Sequence, residues 1–318
     1  MGSIAELLGP DFFLVGAPKC GTTAMNRYLA QHPEVGMCPR KESHYFAADL
    51  LDRMALRRRL SSRDLADYVE LFESQQDCRR RGEASVWYLY SAAAPQRILE
   101  FCPGAEAIVM LRNPFEMLPS LHSEFVFVGI EPAEDFEQAL SLDAERERSG
   151  APKGFPPASY RSAIRYSEQL RRYLEAFGHD RVHVILFEDF RSDTPGCYRR
   201  TCEFLGVDPD FTPEIEVVNP NKQVRSSRLR SLVRTPPESL RPLLHSLTSQ
   251  RLRHRVGVLL NRRLNTRETS RAPAGDAVVE ALRPEVERQV EELRDLIGVE
   301  VGHWLDPAAE ATPAAGRD

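Results

Sequence analysis

Lysine is almost missing from this chain: Lys19, Lys41, Lys153 and Lys222 are all that its 318 residues hold, and arginine supplies the other 38 basic side chains. A net charge of −5 gives no bulk attraction to nucleic acid, so any anion has to be bound locally. No stretch approaches the ~18 apolar residues of a membrane span, and MGSIAELLGPDFFLVG carries no basic segment ahead of its apolar residues. Met1-Gly2-Ser3 opens like a myristoylation site, but Glu6 stands where Ser or Thr is wanted. The expectation is a soluble, cytoplasmic protein without membrane insertion. The six cysteines, Cys20, Cys38, Cys78, Cys102, Cys197 and Cys202, form no C-x-x-C pair, which argues against a zinc site and a disulfide framework and for free thiols. A hydrophobic fraction of 42% suffices for one large domain, alone or with an appended helical part.

What is present begins at FFLVGAPKCGTT, Phe12 to Thr23. An apolar run breaks into a turn and restarts as a helix bearing two hydroxyls, the order strand, phosphate-cradling loop, helix N-terminus. Amides left unpaired in a first helical turn, with the positive end of the macrodipole, favour an anion. Gly16 and Gly21 permit close backbone approach or positive φ, and Lys19 adds a point charge. The spacing Gly16-x4-Gly21 matches the opening of the nucleotide-triphosphate loop, yet Thr22 and Thr23 follow directly where that motif has Lys and then Ser or Thr. The lysine has moved inside the loop. A metal-dependent kinase or NTPase is the rival reading, since Val182–Leu186 runs into Glu188 and Asp189.

Short apolar strands alternate with amphipathic helices, which points to βα units and a mainly parallel sheet. Strands are predicted at Phe12–Gly16, Val35–Cys38, Ala107–Leu111 and Val182–Leu186. Helices are predicted at Thr22–Gln31, capped by Thr22 or Thr23, and at Asp64–Phe72, Pro95–Phe101, Phe115–Phe127, Tyr160–Phe177, Pro195–Leu205 and Ala277–Ile297. SGAPKGFPP, Ser149 to Pro157, reads as a surface loop of the kind that borders substrate sites. Asn219 to Arg234 holds four Arg and one Lys among small polar residues, either a solvated segment or an anion-binding strap. The Ala/Pro-rich residues 307–318 are expected to be disordered. The expected organisation is one domain over 1–306, with a nucleotide-binding core near 10–210 and a helical part near 225–305.

Two further constellations bear on chemistry. The strand Ala107–Leu111 ends at Arg112, with Ser120 on the next helix; ligands of open α/β sheets bind at that edge, and Arg offers a planar fork for phosphate. A second phosphate site beside the first is implied, although each residue alone also reads as ordinary surface. In KESHYF, Lys41 to Phe46, Glu42 and His44 follow a strand end as two candidate general bases, or as solvated side chains.

Together these motifs resemble those of the sulfotransferases that use 3′-phosphoadenosine 5′-phosphosulfate (PAPS). APKCGTTA is similar to that family's 5′-phosphosulfate loop, LRNPFEMLPS to its 3′-phosphate site, and KESHYF to the K-E-x-x-[FY]-F segment of its heparan-type and bacterial branch. GEASVWYL, Gly82 to Leu89, and VILFEDFRSD extend the likeness over residues 10–210. The resemblance implies an α/β three-layer sandwich with a central, mainly parallel sheet, a P-loop-like phosphate loop and a helical C-terminal portion. It implies PAPS as co-substrate, adenosine 3′,5′-bisphosphate as product and no metal. Pro18, Lys19, Cys20, Gly21, Thr22 and Thr23 would hold the 5′-phosphosulfate, and Arg112 and Ser120 the 3′-phosphate. Lys222, Arg225 or Arg228 would stand in for a C-terminal basic loop, and Tyr160 would line the pocket. Lys19 would offset leaving-group charge, and Glu42, with His44 or His122 as substitutes, would take the acceptor's proton. The departures are Cys20 for a hydroxyl residue, Val86 for Pro, and Glu124 where many relatives have His; the first two keep a non-catalytic nucleotide-binding module as a second alternative. A bacterial enzyme of secondary metabolism acting on a small molecule, lipid or glycan is expected; oligomeric state is left open.

Overall fold

The computed structural model describes residues 9–50, 64–150, 156–216, 222–224, 266–268 and 274–305. The chain divides into two compact units, residues 1–216 with 273–318, and residues 217–272. In the first unit, β1 (Phe12–Gly16), β2 (Val35–Met37), β3 (Arg80–Ala84), β4 (Glu106–Leu111) and β5 (Val182–Leu186) form one sheet in the order β2-β3-β1-β4-β5. Every pairing is parallel. Strands of such a sheet are covered on both faces, which is why β1 and β4 are near-continuous apolar runs and not alternating ones.

The helices, numbered along the chain, are α1 (Thr22–Leu29), α2 (Leu65–Glu70), α3 (Ala94–Phe101), α4 (Pro114–Val128), α5 (Phe136–Ser141), α6 (Asp143–Ser149), α7 (Tyr160–Ala163), α8 (Tyr166–Phe177), α9 (Phe187–Ser192), α10 (Thr194–Leu205) and α11 (Asp276–Ile297). The chain leaves β1 toward β2 on one side of the sheet and leaves β4 toward β5 on the other. Right-handed crossovers then put the connecting helices on opposite faces, with a switch point between β1 and β4. That crevice lies at the carboxyl ends of the two strands that precede the lysine loop and Arg112.

Three expectations are corrected. The first helix is capped by Gly21 in the left-handed region, φ 87°, with no side-chain cap, so neither Thr22 nor Thr23 serves as one. The helix expected over Tyr160–Phe177 is two, α7 and α8, broken at Ile164 and Arg165. A reciprocal Ser159–Ser162 capping box closes α7 into a single turn. Strand β3 was not foreseen. Arg80 Nε donates to Asp11 Oδ1 at 2.6 Å and its Nη2 to Glu106 Oε2 at 2.5 Å, so the charge is matched where the strand enters the sheet. In the second unit, β6 (Lys222–Val224) pairs antiparallel with β7 (Thr266–Glu268). The remainder of the expected helical part at 225–265, residues 151–155 of the predicted surface loop and the tail from 306 lie outside the described residues.

Candidate active site

The loop between β1 and α1 is built by backbone. Gly16 sits at φ 151°, and a Cβ there would lie 2.6 Å from the Val86 carbonyl oxygen and 2.8 Å from Leu89 Cβ. Only glycine lets β1 pass so close to the segment after β3. Ala17 N donates to Met110 O at 2.6 Å and ties the loop to β4. Lys19, φ 64°, and Gly21 are both left-handed. Among the described residues, the amides of Lys19, Gly21, Thr22 and Thr23 donate to no carbonyl or side-chain oxygen. A row of free donors at the start of a helix is a cradle for a phosphate or sulfate.

Cys20 is fully buried, and its thiol donates to Pro18 O at 3.3 Å. Burial pushes its pKa up, with Glu188 adding to the rise and the Arg112 and Lys19 charges opposing it. The side chain therefore fills space beneath the loop as a neutral thiol, and loss of the hydroxyl usual in this motif leaves the backbone donors intact.

Arg112 follows β4 directly. Its Nη1 donates to Lys19 O at 3.2 Å, its Nε and Nη2 pair with Glu116 one turn along α4, and its guanidinium lies 4.3 Å from the centroid of the Phe187 ring. These contacts hold the fork beside the loop and use three of its five N–H groups. Asn113 caps α4 by accepting from Phe115 N, Pro114 opens it, and Pro119 removes an amide from its second turn. The adjacent Ser120 is only 2% exposed. Lys19 Nζ lies 2.8 Å from Glu124 Oε2, one turn beyond Ser120, with the two side chains 29% and 49% exposed.

The second half of the site follows β2. Glu42 and His44 both have positive φ, 66° and 53°, a conformation that costs non-glycine residues of order 1 kcal/mol or more each. Glu42 pairs with Lys41, its Oε2 accepts from Val86 N at 3.1 Å, and His44 Nε2 lies 3.4 Å from the same oxygen. His44 N donates to Ser85 Oγ at 3.0 Å, while its Nδ1 is buried without a partner. Burial lowers the His44 pKa against the opposing pull of Glu42, so the ring is held neutral with a lone pair available.

What holds this strained turn is Glu83, on β3 and fully buried. Its carboxylate accepts from Ser43 Oγ at 2.6 Å, Ser85 Oγ at 2.6 Å, Tyr68 OH at 2.5 Å and Tyr88 OH at 3.0 Å. Burial raises its pKa and the hydroxyl donors pull it back. Sequence reasoning gave Glu83 no role. The available signal was the G-E-x-S spacing, which puts an acid and a hydroxyl two residues apart on one face of a strand.

Two expected residues take other places. His122 Nδ1 meets Tyr160 OH at 3.0 Å and its Nε2 meets Glu134 O at 3.1 Å. With both ring nitrogens engaged and the residue 5% exposed, His122 offers no open lone pair to an acceptor hydroxyl. Tyr160, fully buried, also donates to Glu131 Oε2 at 3.0 Å, so it is a core residue and not a pocket wall. Lys222 lies on β6 in the second unit, and Arg225 and Arg228 fall outside the described residues. A separate cavity of about 310 Å³ between α8 and α11, whose lining includes Arg165, Arg171 and Arg288 together with Glu168 and Glu292, shares no residue with the loop. Among the described residues no group of three or more His, Cys, Asp or Glu is arranged to hold a metal.

The sulfotransferase family model matches residues 10–213. Carbohydrate sulfotransferase 15 of Mus musculus is 25% identical over 248 residues, 63% of this chain and 44% of its own length. Heparan sulfate glucosamine 3-O-sulfotransferase 6 of Homo sapiens is 27% identical over 205 residues, 62% of this chain and 52% of its own. The chain thus spans about half the length of these curated relatives. The crystal structure of a sulfotransferase from Alicyclobacillus acidocaldarius matches with a TM-score of 0.69 and 28% identity, over 93% of this chain and 98% of that one. With an all-parallel sheet, a lysine-bearing anion loop and a family match over more than half its length, this chain belongs to the sulfotransferase family.

Proposed function

We propose that the protein transfers the sulfuryl group of PAPS to a hydroxyl of a small-molecule or glycan acceptor in the cytoplasm. The observation that carries this reading is the row of free amides at Lys19 and Gly21 to Thr23, with the Arg112 fork bonded to the same loop at Lys19 O. One cradle fits the phosphosulfate and the adjacent fork fits a second phosphate. The names of the carbohydrate and heparan relatives favour a sugar hydroxyl among the possible acceptors.

In the reaction the acceptor oxygen forms a bond to sulfur as the bond between sulfur and the bridging oxygen breaks. That electron pair remains on the 5′-phosphate, and the acceptor's proton passes to a base. Such a displacement is catalysed by positioning and by stabilising the leaving oxygen. Lys19 supplies the positive charge beside that oxygen. Glu42 accepts the proton, with neutral His44 at 3.4 Å able to share it. The chemistry has no requirement for a divalent ion.

The test is transfer of labelled sulfate from PAPS in the presence of EDTA. Lys19→Ala should slow turnover ~10²–10³-fold, as expected for loss of one charge-stabilising donor. Strict Mg²⁺ dependence with ATP as substrate, or a Lys19→Ala enzyme of near-normal rate, would overturn the reading.

A further inference from the structure

The segment after β5 carries two acids, Glu188 and Asp189, that suit a metal in the rival kinase reading, and the structure separates them. Asp189 is exposed, while Glu188 turns toward β4. β4 and β5 run in register with Leu111 opposite Leu186, so two residues beyond the strand ends Glu188 stands beside Asn113. Glu188 Oε1 accepts from Asn113 N at 2.8 Å. Among the described residues that amide is the one hydrogen-bond donor to this carboxylate, whose Oε2 is buried without a partner.

Asn113 directly follows Arg112 and is the N-cap of α4, so its amide is outside the helix ladder, and the next residue, Pro114, has no amide at all. One bond to Glu188 therefore fixes the backbone on the helix side of Arg112. Phe187 supports the side chain: its ring centroid lies 4.3 Å from the guanidinium, and a Cβ on Gly21 would come within 3.1 Å of the same ring. The start of α9 thus backs both the fork and the end of the lysine loop. Burial raises the pKa of the Cys20 thiol and of the Tyr166 hydroxyl; in both, Glu188 adds to the rise and Arg112 opposes it, so the two charges flank the same buried groups.

We propose that Glu188 is a positioning residue for Arg112: through Asn113 N it fixes the angle at which the fork leaves β4, and with it the preference for a nucleotide that carries a 3′-phosphate. This rests on the PAPS reading. Bonds to phosphate from the two N–H groups that Arg112 leaves open depend on direction as well as charge. With Asn113 N released, Arg112 keeps its charge and loses that alignment. The 5′-phosphosulfate is held by loop amides, and among the described residues Glu188 makes no hydrogen bond to the loop. The effect is therefore confined to the 3′-phosphate.

The test uses Glu188→Met, which keeps the length of the side chain and removes the acceptor, beside Glu188→Gln, whose amide oxygen can still accept from Asn113 N. Calorimetric titration compares adenosine 3′,5′-bisphosphate with adenosine 5′-phosphosulfate, which lacks the 3′-phosphate. Glu188→Met should bind the bisphosphate about tenfold or more weakly, the worth of one hydrogen bond to an ionised group, and the phosphosulfate within about twofold of wild type. Glu188→Gln should hold the bisphosphate within about threefold of wild type. Thermal melting checks that each variant is folded, and Glu188→Ala takes the place of Glu188→Met if that variant is not. Equal losses for both nucleotides, unchanged affinity for both, or a Glu188→Gln protein as weak as Glu188→Met would overturn the proposal alone. A wild-type protein that binds neither nucleotide would overturn the PAPS reading with it.

Discussion

Replacing Glu83 by Gln removes one charge from a fully buried position and tests whether this carboxylate holds the turn that bears Glu42 and His44. Four hydroxyls, from Ser43, Ser85, Tyr68 and Tyr88, donate to it. Hydrogen bonds to an ionised group are worth ~1.5–3 kcal/mol each against ~1 for neutral pairs. Downgrading four of them loses about 2–8 kcal/mol, partly offset by relief of a buried charge, so a net loss of about 2–3 kcal/mol is expected. In a domain of this size that lowers Tm by roughly 5–10 °C. The effect on rate is separate. Ser43 lies between Glu42 and His44, and Ser85 Oγ accepts from His44 N at 3.0 Å, so loosening the carboxylate releases a turn whose backbone is strained at both functional residues. A displacement approaching 1 Å costs up to ~10²-fold in kcat. Among the described residues no hydrogen bond joins Lys19 or Arg112 to Glu83 or its four hydroxyl donors, so affinity for adenosine 3′,5′-bisphosphate should stay within about twofold of wild type. Calorimetric melting, bisphosphate titration and acceptor sulfation on one preparation separate the three quantities. A variant that loses stability but keeps its kcat would show that Glu83 supports the core and does not position the turn; one unchanged in both would refute the network.

Gly16→Ala should be severe, because its Cβ meets a carbonyl oxygen at 2.6 Å and the backbone is at φ 151°; a loss of about 3 kcal/mol, read as a fall in Tm, is expected, and a melt matching wild type would refute the close approach. His183 links stability to pH. Burial, then the charge of Arg200, pushes its pKa down to about 4, so between pH 6.5 and 4 the unfolded chain binds more protons and stability falls as pH drops. At pH 5 this amounts to about 1–2 kcal/mol, and His183→Gln should flatten that part of the Tm–pH curve; an unaltered slope would assign the loss to other groups.

The fold was legible wherever a strand is covered on both faces. β1 and β4 announce themselves as unbroken apolar runs, and the turn after each carries the motif that locates the crevice. β3 was hidden because its polar residues are satisfied largely by partners distant in sequence: Arg80 by Asp11 and Glu106, and Glu83 by the hydroxyls of Ser43 and Tyr68. Its glycine is there for packing, since a Cβ on Gly82 would lie 2.2 Å from the Phe12 ring. The cap of α1 was misread because Thr22 and Thr23 look like N-cap residues, whereas left-handed Gly21 already turns the chain. Around the site, Lys19, Arg112, Glu42 and His44 could be named from motifs. The pairing of Lys19 with Glu124 and the withdrawal of His122 and Tyr160 into the core depend on which side of α4 faces which neighbour, and periodicity alone does not give that.

The two halves of the site are held by different physics, and this determines where the chain tolerates change. The anion cradle is made of amides whose directions are set by Gly16, Lys19 and Gly21, so Cys20 can replace a hydroxyl residue and sink beneath the loop without removing a backbone donor. The proposed acceptor side is made of Glu42 and His44, whose positive-φ backbone is held by one buried charge, so its geometry depends on every hydroxyl around Glu83. Val86 illustrates the difference. It stands where the resemblance led us to expect proline, and its amide, which proline lacks, donates to Glu42 Oε2 at 3.1 Å. The substitution therefore adds a backbone donor that helps hold in place the carboxylate proposed as base. Departures from the motif fall on both sides of the site, but at Val86 the departure adds a hydrogen bond to a side chain proposed to act on the acceptor.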